Sequence, residues 1–235
     1  LLIPIAEGAR HNAAKPDRAV SVIGHLTHGD RTVREAAAEL AGIWRVTGAD
    51  DALADRVRDA RDASELLISA RALARLKQFD RLARLASSTQ SQNIRIAAVA
   101  AWAETQPAEA RRPAVEILSS TSKSENIEPI FEAFINRESG AGQLAKALEK
   151  SRLKEAIAIT GIRLVRASGR EFPELIAALN KAGALKPVAF DLTQHEREDL
   201  LAQVIKSGDA KRGAEIYHRK SMACALCHQV GIEGG

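Results

Sequence analysis

The 235-residue chain is long enough for one large or two modest domains with a buried core. Hydrophobic residues make up 46% of it but aromatics only 3%, so Ala and Leu fill positions that strands would give to aromatic and β-branched side chains; an all-α fold is expected. The net charge of +4, with Lys and Arg interleaved among Asp and Glu, describes a solvated helical surface and argues against a nucleic-acid partner, and no apolar run is long enough to be a transmembrane segment.

The opening Leu1-Leu2-Ile3-Pro4-Ile5 is too short for a signal-peptide core and has no basic flank. With no initiator Met, and with Gly234-Gly235 closing just after the most informative motif, the sequence reads as an internal fragment of a longer protein.

Amphipathic helices follow in order. Val33, Ala37, Leu40 and Trp44 fall on one helical stripe. Leu66, Ala70 and Leu73 form the next, then Ile94, Ala97, Ala98 and Ala101. Ile127, Ile130, Phe131 and Phe134 make a fourth, and Leu153, Ile157, Thr160 and Leu164 a fifth. Breaks are expected at Gly48 with Asp50-Asp51, Ser87-Ser88, Pro107, Ser119 to Ser122, Ser139-Gly140 and Ser168-Gly169. Comparable helices thus begin roughly every 28–33 residues, each followed by a shorter one, which is the period of an α-solenoid. On that period, residues 1–182 resemble HEAT-like α-helical repeats; an irregular helical bundle is the alternative.

Residues 183–192, with Pro187 inside, read as a linker. Thr193 then precedes Glu196 by three residues, a capping box that starts a helix with Leu200, Leu201, Val204 and Ile205 on its apolar face. Ser207-Gly208 ends it, and Asp209 is placed to cap a further helix through Ile216 and Tyr217.

The decisive residues are Cys224-Ala225-Leu226-Cys227-His228. Covalent haem attachment needs two thiols spaced to meet two vinyl groups, and an imidazole beside the second thiol to ligate iron. This C-x-x-C-H run supplies all three: Cys224 and Cys227 for the thioethers, His228 as proximal ligand. Structural zinc would need further soft ligands, and the chain has only these 2 cysteines. A thioredoxin-like pair would follow a strand, which nothing here predicts. A disulfide would leave His228 unexplained.

The segment Gly208 to Tyr217 followed by Cys224 resembles the opening of class I cytochrome c domains, with Gly213 and Tyr217 at the family's helix-packing positions. The run from Ala223 to Gly231 looks like the haem-binding domain that ends large multidomain proteins of Planctomycetes and Verrucomicrobia, where helical repeats commonly precede it. The resemblance implies that residues 193–235 are the start of a cytochrome c-like domain, incomplete without a distal ligand and closing helix. It also implies a periplasmic or otherwise exported location.

The remaining residues have plainer readings. Met222 is expected to fill a gap, His218 to lie exposed and Tyr217 to pack. His25 and His28 could chelate a metal, but a helix-end pair without further ligands is the simpler account. Trp44 and Trp102 are expected as packing residues. Lys206, Lys211, Arg212, Arg219 and Lys220 form either a solvated surface or a patch that steers an acidic redox partner. No nucleophile elbow, phosphate loop or carboxylate pair suggests catalysis within these residues. Electron transfer through haem c is the expected function, with a redox partner protein or an upstream dehydrogenase domain as counterpart. An interaction scaffold and the electron-accepting part of a larger dehydrogenase are the alternatives.

Overall fold

The computed structural model describes residues 2–12, 21–60, 62–87, 89–121, 126–185, 192–219, 224, 228–231 and 233–234. The chain divides into two compact units, residues 1–186 and 187–235. Both are helical, and the one strand pairing among the described residues is a two-residue ladder near the C-terminus. The all-α expectation is met.

In the first unit α1 (Leu2–Asn12) leads, through a 3-10 turn at Ile23–His25, to successive helices. These are α2 (Arg31–Ile43), α3 (Asp50–Asp59), α4 (Ala63–Arg75), α5 (Phe79–Leu85), α6 (Gln92–Ala103) and α7 (Pro107–Ser120). Then follow α8 (Glu128–Ile135), α9 (Gly140–Leu148), α10 (Glu155–Ala167) and α11 (Pro173–Ala182). The even-numbered helices from α2 to α10 pack each on the next, while α7, α9 and α11 pack in the same succession. Long side chains join successive pairs. Arg10 holds Glu39 across 29 residues, Arg31 holds Asp62 across 31, Arg71 holds Glu104 across 33 and Arg111 holds Gln143 across 32.

Local chemistry sets the ends. Asp30 caps α2, accepting from the Thr32 and Val33 amides, and Asp62 caps α4 by accepting from the Ser64 amide. The Thr32 hydroxyl and amide, together with the Val33 amide, hold the exposed Asp30 carboxyl below its ordinary range. At their other ends α2 and α4 stop alike. Arg45 and Lys77 take the left-handed conformation at φ 49° and 59°, and the next amides, of Val46 and Gln78, reach back to the carbonyls of Ala41 and Leu73. Glycine is the ordinary residue there, and a Cβ costs roughly 1 kcal/mol.

The five apolar stripes face the interior. Ala37, Leu40, Ala70, Leu73, Ala98 and Ile157 are among the fully buried residues, as are all four members of the Ile127–Phe134 set. Helix α6 is buried nearly all round because α4, α5, α7 and α8 surround it.

Three expectations need correction. Asp50 and Asp51 open α3 instead of breaking the chain, because carboxylates suit the positive end of a helix. Gly140 likewise begins α9; a Cβ on it would lie 2.1 Å from the Phe134 carbonyl oxygen, so the tight α8–α9 turn requires glycine. The second helix of a pair is not always the shorter, since α7 has 14 residues against 12 in α6. Pro107 at its first turn starts α7 early.

In the second unit the capping box forms as expected. Thr193 caps α12 (Gln194–Ser207) through the Glu196 amide, and the Glu196 carboxylate accepts from the Thr193 amide at 2.8 Å. Asp209 caps α13 (Ala210–Tyr217) by accepting from the Arg212 amide at 2.9 Å. The apolar face of α12 stays open: Leu200 is 50% exposed and Ile205 82%.

Candidate haem attachment site

Helix α13 delivers the chain to the cysteine motif. Its last residue, half-buried Tyr217, stands edge-on to the His218 ring, with centroids 5.1 Å apart and planes at 83°. The Tyr217 hydroxyl donates to the His228 carbonyl oxygen, eleven residues on. Sequence reasoning assigned Tyr217 to packing and missed this clasp. An aromatic residue ending a helix looks the same locally whether or not its hydroxyl meets a later carbonyl.

Within the motif, the His228 amide donates to the Cys224 carbonyl oxygen at 2.9 Å. This bond spans four residues and holds the backbones of the first cysteine and the histidine together. Cys224 is half-buried and His228 is exposed. Immediately after His228 the chain turns back: β1 (Gln229–Val230) pairs antiparallel with β2 (Glu233–Gly234), Gln229 opposite Gly234 and Val230 opposite Glu233. Gly231, at φ 64°, makes the reversal in a conformation that favours glycine. His228 is thus anchored through its amide to Cys224 and through its carbonyl to Tyr217, and its side chain makes no hydrogen bond or ion pair among the described residues.

A half-buried thiol and an exposed imidazole on residues joined by one backbone bond fit the donor set of haem attachment. Cys227, Met222 and Lys220 lie outside the described residues. His218 is exposed at the end of α13, as expected. A Cβ on Gly213 would meet nothing within 4 Å, so no helix described here packs on that position.

His25 and His28 hold their ring centroids 6.3 Å apart, and the His28 Nδ1 already accepts from the Asp30 amide at 3.0 Å. Among the described residues no three His, Cys, Asp or Glu side chains gather as metal ligands. Trp44 is buried, and Trp102 is half-buried with its indole N–H donating to Gln106 at 3.1 Å.

Tyr217→Phe tests the clasp. It keeps the ring and removes the donor, so the amides from His228 to Val230 should exchange about fivefold faster, as loss of one exposed hydrogen bond implies. Unchanged exchange with intact helicity would show that the hydroxyl does not restrain the motif.

No protein-family model, curated protein or solved structure matches this chain.

Proposed function

We propose that this chain is an electron-transfer protein in which Cys224, Cys227 and His228 hold a covalent c-type haem and the helical segment serves as its scaffold. The observation that carries the reading is the C-x-x-C-H run itself, in a chain with only 2 cysteines, both placed within it. The hydrogen bond joining the His228 amide to the Cys224 carbonyl supports it, because it keeps the first thiol and the imidazole on one short stretch of chain.

Cys224 and Cys227 would supply the two thioethers, and His228 the iron ligand. When bound, haem c provides a one-electron iron couple. The chain's own part is orientation: Tyr217 and Cys224 restrain the His228 backbone from both sides and leave the imidazole free to bind. Attachment of haem c implies maturation outside the cytoplasm. The counterpart would be a redox partner protein or an upstream dehydrogenase domain.

For residues 1–182 we propose HEAT-like repeats stacked as a solenoid. Support comes from the side-chain links across 29 to 33 residues and from the matching caps at Asp30 and Asp62.

The test is a pyridine haemochrome spectrum of the chain, expressed in a host that matures c-type cytochromes. A haem c spectrum should survive denaturation and vanish in Cys224→Ala/Cys227→Ala. Well-expressed, exported protein that retains no haem would overturn the reading, leaving the helical scaffold as the account of the chain.

A further inference from the structure

The first unit carries an electropositive groove that the haem reading does not use. Arg45, just past the end of α2, and Arg75 and Lys77, at the end of α4, together line two adjoining cavities of about 400 and 580 Å³. The floor of the larger is apolar, built from Ala9, Gly42, Ile43, Ala74 and Phe79. Thr105 and Gln106 close it from the end of α6. The Gln106 amide oxygen is taken by the Trp102 indole, which leaves its NH₂ as a donor.

Asp50, the one carboxylate lining these cavities, already has a cation, and so do Glu39, Asp51 and Glu104. Glu39 is held by Arg10 at 2.7 Å, Asp50 and Asp51 by Arg81 at 2.6 Å, and Glu104 by Arg71 at 2.6 Å. Arg45, Arg75 and Lys77 are exposed and make no ion pair or side-chain hydrogen bond among the described residues. Arg45 and Lys77 also occupy left-handed backbone positions, where glycine is the ordinary residue.

We propose that this groove docks an acidic, partly aliphatic peptide segment of a partner protein, its carboxylates meeting Arg45, Arg75 and Lys77 while an aliphatic side chain covers the floor. Charge complementarity names the sign of the partner. The floor, aliphatic apart from Phe79, favours a peptide over a nucleic acid, which would call for a longer cationic track and stacking aromatics. The inference is independent of whether the chain holds haem.

The test is fluorescence anisotropy of a labelled heptapeptide of alternating Glu and Leu, titrated with the whole chain at low and physiological ionic strength. Saturable binding is expected, weakening with salt. Arg45→Gln/Arg75→Gln/Lys77→Gln should weaken it at least tenfold. Lys150→Gln/Arg152→Gln/Lys154→Gln, which removes the same charge elsewhere, should leave it within twofold of the unaltered chain. Circular dichroism melting establishes that both variants are folded. Equal affinity in the two variants would overturn the proposal. So would displacement of the peptide by a short oligonucleotide at lower concentration, which would mark the groove as a general polyanion surface.

Discussion

Glu65→Ala is expected to cost the fold about 3 kcal/mol, the scale for removing one member of a buried charge cluster. Glu65 is 4% exposed on α4 and is the shared acceptor of two guanidinium groups. Arg34 of α2 donates to it through Nε at 2.6 Å, and Arg56 of α3 donates to the same oxygen. Arg34 also reaches the carbonyl oxygens of His28 and Gly29, each at 2.9 Å, so one carboxylate fixes three helices and the turn before them. Burial, and then the neighbouring Arg34, lower the Arg56 pKa from its ordinary value, as expected of a cation that depends on its counter-charge. Without Glu65 two half-buried cations face each other. Arg56→Met should cost less than half as much, since Glu65 keeps Arg34. Denaturant midpoints at constant slope give both numbers; equal losses would mean that the cluster is not energetically shared.

Gly161→Val should destabilise the first unit by about 2–3 kcal/mol through overpacking. A Cβ at Gly161 of α10 would lie 2.6 Å from Phe131 Cζ and 3.2 Å from Leu179 Cδ1. Both neighbours are fully buried, so neither can swing into solvent. Gly161→Ala should lose less, because the clash is partly offset by a helix-propensity gain of about 1 kcal/mol. Shortening the opposing ring with Phe131→Leu should recover part of the loss in the Gly161→Val background. A double-mutant cycle in thermal unfolding measures that coupling; strict additivity would show that the α8–α10 contact is not what demands glycine.

These two sites mark where reading the sequence ends. Nothing local distinguishes Glu65 from a surface glutamate in the first turn of a helix, and Gly161 looks like a mild helix defect. Each is explained by residues on other helices. The same holds for Tyr217, whose hydroxyl partner lies beyond the cysteine motif, and for Arg45 and Lys77, whose shared groove exists only because α2 and α4 lie side by side. The open face of α12 is a different case. Its periodicity predicts an apolar stripe correctly, but periodicity does not say whether anything covers it.

By itself the sequence determined the helical class, the buried stripes, the capping box at Thr193 and Glu196, the Asp209 cap and the spacing of the C-x-x-C-H run. All of these depend on side chains within one or two turns of each other, where backbone geometry leaves few choices. Only the tertiary structure decided that Glu65 joins three elements, that Gly161 makes room for a ring, and that three cations with no ion pair among the described residues share one groove. Those outcomes depend on which side chains meet from helices some thirty residues apart, and no short-range pattern carries that distance.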